Sequence, residues 1–303
     1  MANTLQTEEI QLSPEATTVP QVARVSPGRR FLSRLSRNRG AVVGLMIVLA
    51  IALAAAFAPV IAPHDPDQQF ASDRLAPPSA EFPLGTDNLG RDILSRLLYG
   101  ARPSVGSAAL ATVVILFIGI IVGLWAGYVG GYWDGFSMRV VDVFLAFPAL
   151  ILALAIVGVL GPGLDRMLLA IILVVWAYYA RLVRGIVLEL RERPYVRAAI
   201  ALGGRRMYIM RRHILPNIIS PVIVLASLQM GFLILTTAGL SFLGLGIQPP
   251  NAEWGAMLND GRNFFLYAPQ LMIYPGIMIS LTVLGFNLLG DGLRDVLDPR
   301  HIQ

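Results

Sequence analysis

Lysine and cysteine are absent from the 303 residues, and histidine occurs three times. Each absence removes a class of chemistry. A Walker A loop places a lysine on nucleotide phosphates, so the chain is not itself a P-loop ATPase. Schiff-base and pyridoxal-phosphate reactions need a lysine amine. Without cysteine there is no disulfide, thiolate metal site or sulfur nucleophile. His64, His213 and His301 sit in separate segments, so they suggest neither a metal cluster nor a catalytic triad. Charge is also scarce: 14% of residues are charged, where a soluble domain carries about 25%.

What is present is apolar. Hydrophobic residues make up 55% and the mean hydropathy is +0.65. Crossing a hydrocarbon core takes roughly 20 helical residues, and six stretches qualify, near 41–61, 107–128, 140–160, 168–188, 218–244 and 271–289. Pro148 and Pro221 fall inside the third and fifth, where neighbouring helices can repair the backbone. Ala56-Phe57-Ala58 resembles a signal-peptide cleavage site. Its 40-residue lead-in is too long and Pro59 follows directly, so the first stretch reads as a retained helix.

The basic residues, all 24 of them arginine, report topology. Residues 181–213 hold nine arginines against Glu189 and Glu192, and residues 1–40 hold six against three acids. Residues 62–103 hold four arginines against six acids. Placing the N-terminus inside puts 18 arginines on the cytoplasmic side and 6 outside, so both termini are expected in the cytoplasm. The pI near 9.9 then has a membrane explanation, and nucleic acid is not an expected partner. Residues 1–28 are polar and aperiodic, which predicts a disordered tail. The expected organisation is a cytoplasmic tail (1–40), a first membrane helix with an external loop (41–103), and a five-helix core (104–303) containing a cytoplasmic loop at 189–217.

That loop carries the most information. Pro194 suits the first turn of a helix, Ala198 and Ala199 offer a small surface, and Gly203-Gly204 permits a turn. A second basic helix follows, which Pro216 is expected to end as the chain re-enters the membrane. Composition alone equally suits a basic loop lying on anionic lipid headgroups.

Residue order favours the first reading. Ala198-Ala199, then Gly203, then His213-Ile-Leu-Pro216 resembles the cytoplasmic EAA loop of ABC-importer inner-membrane permeases, with Arg197 where the name-giving glutamate stands. Pro83-Leu-Gly85-Thr86-Asp87-Asn-Leu-Gly90-Arg91-Asp92, Gly127–Asp134, Leu240–Gly246 and Glu253-Trp254-Gly255 extend the likeness to permeases of the dipeptide/oligopeptide/nickel branch. The resemblance spans roughly 30–300. It implies an all-α type I permease fold in a bacterial inner membrane. It also implies a second homologous permease, two cytoplasmic ATPases that use ATP and Mg, and an extracytoplasmic substrate-binding protein. No cofactor or metal on this chain is implied. Tyr195, Arg197, Ala198, Ala199, Gly203, Gly204, His213 and Pro216 become the expected ATPase-coupling residues.

Inside the spans, Gly119, Gly123 and Gly127 recur every four residues and form a smooth helix face. It can pack within this chain or against a partner permease. Arg139 and Asp142 are spaced to pair locally, in a structural role or as a gate. Gln229, Thr236 and Thr237 are polar enough to line a pathway, or to bind neighbouring helices. Carriers driven by protons or ions use buried carboxylates or histidines, which these spans almost lack, so the energy is expected to come from outside the chain. A secondary carrier or channel for a small polar solute is the alternative reading, disfavoured by that lack, and a membrane-embedded enzyme is disfavoured by the lack of any cluster of catalytic residue types.

Overall fold

Residue 33 and residues 35–297 are described by the structure; most of the expected tail and His301 lie outside them. In the computed structural model every regular element among the described residues is helical. The elements are α1 (Arg39–Ile61), α2 (Ile93–Val129), α3 (Gly131–Leu145), α4 (Ala149–Leu160), α5 (Leu164–Arg191), α6 (Pro194–Ala201), α7 (Arg206–Phe242), α8 (Trp254–Gly261) and α9 (Gln270–Leu297). Five of them, α1, α2, α5, α7 and α9, are long and apolar enough to cross a membrane, and α3 with α4 forms a sixth, broken candidate.

Three sequence expectations need correction. The third stretch is not one helix: α3 and α4 meet at an angle of 84°. Pro148 is the reason, because its ring disfavours helical geometry at Phe147 and it brings no N–H to the ladder. The second helix starts at Ile93 rather than near 107, so the boundary drawn at residue 103 falls inside it. Asp92 starts it, accepting from the Ser95 amide at 2.8 Å and the Ser95 hydroxyl at 2.6 Å. Lastly, Pro216 ends nothing. The chain runs from Arg206 to Phe242 through a π-helical turn at Met210–Ile214, where the Leu215 amide reaches the Met210 carbonyl. A π-turn widens the helix and makes room for the proline that follows.

The core is a seam between α2 and α5, with α7 against α2 and α9 clasped between α1 and α7. The two faces of α2 separate cleanly. Val113, Phe117, Ile121 and Trp125 are exposed at four-residue spacing, while Gly119, Gly123 and Gly127 face α5. Helices that bury small residues and expose large apolar ones suit a lipid solvent. On α1 the Pro59 ring leaves the Ala55 carbonyl without its helical donor. Arg102 of α2 replaces it, donating Nε to the Ala55 carbonyl at 2.6 Å and Nη2 to the Ala56 carbonyl at 2.9 Å.

Candidate functional site

At the basic end of the bundle, α6 and the start of α7 form a knob. Val196 is its only buried residue on α6, seated with Val187, Ile209, Met210 and Ile214. The turn after α6 closes as a Schellman motif: the Gly204 amide donates to the Ala199 carbonyl and the Gly203 amide to the Ile200 carbonyl, each at 3.0 Å. Gly203 holds φ +79°, which only glycine adopts without cost. Gly204 is needed for closeness, since a Cβ there would lie 2.8 Å from the Ala199 carbonyl oxygen. Tyr195, Arg197, Ala198 and Leu202 face outward, Leu202 with 89% of its surface exposed. His213 is half-buried, its ring 5.6 Å from that of Tyr208 and 6.3 Å from that of Tyr195, and Pro216 is exposed on the first turn after the π-segment. The eight expected coupling residues therefore share one end of the molecule. The arginines there are loosely paired: Arg193 donates to Glu189 at 2.6 Å, while Arg197 stays 3.9 Å from Glu192.

Deeper in the bundle lies a groove with a cavity of about 480 Å³ between α3, α4, α5 and α7. Phe144, Phe147, Tyr178, Leu225 and Phe232 contribute apolar and aromatic walls. Its polar feature is Gln229, whose Oε1 accepts from the Tyr179 hydroxyl at 2.7 Å. Thr236 and Thr237 do not line it. Both hydroxyls turn back on their own helix, to the Phe232 carbonyl at 2.8 Å and the Ile234 carbonyl at 3.1 Å. This is the usual fate of a threonine in an apolar helix, because the i−3 or i−4 carbonyl is the nearest acceptor.

One wall of the groove is α3 and the elbow after it. Sequence spacing suggested an Arg139–Asp142 pair, but the partners come from α5. Arg184 grips Asp134 with two bonds, at 2.5 and 2.6 Å, and Arg181 bonds Asp142. Arg139 is exposed and makes no ion pair among the described residues. Nothing in local spacing marks these cross-helix pairs; α5 has to be laid beside α3 before they appear.

The glycine face packs within this chain. A Cβ at Gly119 would lie 2.6 Å from the Tyr179 Cβ, at Gly123 2.5 Å from the Ala180 carbonyl oxygen, and at Gly127 2.9 Å from the Val187 Cβ. All three neighbours are on α5.

At the opposite end, motifs far apart in sequence meet. Arg91, buried, bonds Asp87 at 2.6 Å and reaches Asp260 at 3.3 Å. Arg96, also buried, donates to the Pro66 carbonyl at 2.9 Å and the Pro250 carbonyl at 3.2 Å. Glu253 caps α8 through the Gly255 and Ala256 amides and accepts from the Ser104 hydroxyl of α2 at 3.1 Å. Trp254, fully buried, donates its indole N–H to the Leu97 carbonyl at 3.0 Å. These paired and hydrogen-bonded buried groups tie the first loop, α2 and α8 into one cap over the bundle.

Known proteins resemble this chain along most of its length. The model for the binding-protein-dependent transport system inner membrane component matches residues 119–303. The N-terminal TM domain of oligopeptide transport permease C matches residues 26–78. The dipeptide transport system permease protein DppC of Alkalihalophilus pseudofirmus is 45% identical, over 95% of this chain and 96% of its own. The di/tripeptide permease protein DppC of Pseudomonas aeruginosa is 44% identical over 93% and 95%. The glutathione transport system permease protein GsiD of Pectobacterium atrosepticum is 44% identical over 91% and 92%. With its helical bundle, its knob and these relatives, the chain belongs to the family of binding-protein-dependent transport system inner membrane components.

Proposed function

We propose that this permease forms half of the pathway of an ATP-driven importer of di- and oligopeptides, with both termini cytoplasmic. A second, homologous permease supplies the other half, two ATPases bind the basic end, and a substrate-binding protein delivers cargo to the opposite end. The observation that carries the coupling part is the knob: an exposed helix on a buried valine, closed by a glycine motif and continuous with two spanning helices. Tyr195, Arg197, Ala198, Ala199, Gly203, Gly204, His213 and Pro216 act in ATPase coupling, and Gln229 lines the pathway. Support for peptide cargo comes from relatives described as transporting dipeptides, di/tripeptides and glutathione.

The chain performs no chemistry of its own in this reading. ATP closes the ATPase pair, the knob follows, and α5 and α7 carry that movement into the groove. Gln229 offers a donor to a passing carbonyl, and the aromatic walls tolerate varied side chains. Removing the gene from cells otherwise able to take up a labelled dipeptide is expected to abolish that uptake, and restoring it to recover uptake. Unchanged dipeptide uptake in the deletion strain would sink the cargo assignment.

A further inference from the structure

α3 is built as a lever. At one end Gly130 and Gly131 both hold positive φ, +69° and +65°, and a Cβ on Gly131 would meet nothing within 4 Å. At the other end Pro148 breaks the chain by 84° before α4. Between these two hinges lie 15 helical residues, of which only Val141 is buried. Apolar packing holds this rod weakly: Val141 meets Ala177 and Ala180, with Met138, Phe144 and Trp176 around them. The directional ties are the two ion pairs to α5, the Asp134–Arg184 fork and Asp142–Arg181. A two-bond arginine–carboxylate fork fixes orientation as well as distance, which a single charge contact does not.

Both partners of α3 matter for what the rod moves and what moves it. Phe144, Leu145 and Phe147 on the rod and its elbow form one wall of the groove, opposite Tyr178 and Tyr179 of α5. α5 continues from the ion pairs to Arg191 without a proline and leads into α6 at Pro194. At 1.5 Å per residue roughly 10 Å of helix runs from Arg184 to Arg191, two residues short of the knob's N-cap.

We propose that Asp134–Arg184 and Asp142–Arg181 are the mechanical link through which α5 positions the α3 wall of the groove. This rests on the transport reading above, for which these four are positioning residues. When the knob shifts, α5 carries the arginines, the aspartates follow, and the rod swings on Gly130-Gly131 and Pro148. Glycine and proline ends confine the bending, so the wall moves as a unit.

The cysteine-free chain allows a direct test in the complete transporter reconstituted in liposomes. Spin labels on cysteines replacing Val143 of α3 and Phe117 of α2, both exposed, report the rod against the bundle. With the link intact, the distance is expected to shift between nucleotide-free and ATP-trapped states. In Arg184→Asp the shift is lost and the distribution broadens, and in Asp134→Arg/Arg184→Asp both recover. The neutral pair Asp134→Asn/Arg184→Gln, which leaves no lone charge, covers the case in which Arg184→Asp does not assemble. Uptake per ATP hydrolysed is expected to fall about tenfold in the neutral pair and to return within about threefold in the swapped pair, as for directly interacting side chains. A wild-type distance shift and wild-type uptake per ATP in the neutral pair would overturn the link. The distances need no cargo, so a wild-type complex that hydrolyses ATP but imports no peptide counts against the cargo assignment while the distances still decide the link.

Discussion

At the residue scale, the structure depends on small side chains and on arginines that do local work. Gly123 sits where a Cβ would meet the Ala180 carbonyl and the Val183 Cβ, so the α2–α5 seam has no room for growth. Gly123→Leu is expected to cost at least about 1–3 kcal/mol by overpacking, read as a lower unfolding midpoint of the purified protein in detergent. Gly185 on α5 is exposed and meets nothing within 4 Å, and Gly185→Leu is the matched control with little expected change. Arg102 answers a defect made by Pro59, since its guanidinium takes the carbonyls of Ala55 and Ala56. A double-mutant cycle tests this pairing. Arg102→Met is expected to cost about 1–2 kcal/mol beside Pro59 and much less beside Pro59→Ala, where the chain supplies its own donor. Equal costs in the two backgrounds would show that Arg102 serves some other purpose.

At the element scale, the knob is a stable shape with a variable outer surface. Leu202 is nearly fully exposed and touches little, so Leu202→Asp is expected to leave the unfolding midpoint unchanged while lowering recovery of ATPase subunits with the purified permease. Gly203→Val differs, because its φ of +79° costs a β-branched residue about 1–2 kcal/mol and the turn itself distorts. That variant is expected to lose stability and partner recovery together. How legible these elements were from sequence follows from the range of the signal. Apolar length and arginine bias outlined the spans, and Pro194 with Gly203-Gly204 outlined the knob, because those cues act within a few residues. Three things were illegible. The early start of α2 was hidden because Ser95, Arg96, Tyr99 and Arg102 interrupt its apolar run, although Ser95 bonds to the Asp92 cap, Arg96 to the Pro66 carbonyl and Arg102 to α1. The break at Pro148 and the continuity through Pro216 look alike in sequence, one proline in an apolar or basic run; the π-turn that separates their outcomes is a property of the fold. The partners of Asp134 and Asp142 lie 50 and 39 residues away, beyond any spacing rule.

At the scale of the whole molecule, the two ends differ in build. One end is a cap in which buried Arg91 ties the first loop to α8 while Glu253 and Trp254 tie α8 to α2; the other exposes arginines on a knob between two spans. In the proposed importer the cap is the surface that receives cargo and the knob the surface that receives force. Orientation is directly measurable, because any introduced cysteine is unique. In intact cells an impermeant thiol reagent is expected to label Glu81→Cys and to spare Leu202→Cys until the membrane is opened; the reverse pattern would invert the proposed topology. Chain order also bears on how the bundle closes. α1 makes its closest fit with α9, where a Cβ on Gly44 would lie 2.6 Å from the Leu289 amide and Asn38 bonds Asp295 at 2.9 Å. These helices are the first and last of the bundle, separated by roughly 230 residues, which a ribosome adding about 5–20 residues per second needs on the order of 10–50 s to make. Until α9 is made, the Gly44 notch of α1 lacks the helix that fills it in the finished bundle. A chain whose synthesis stops before α9 is therefore expected to keep an open seam along α1.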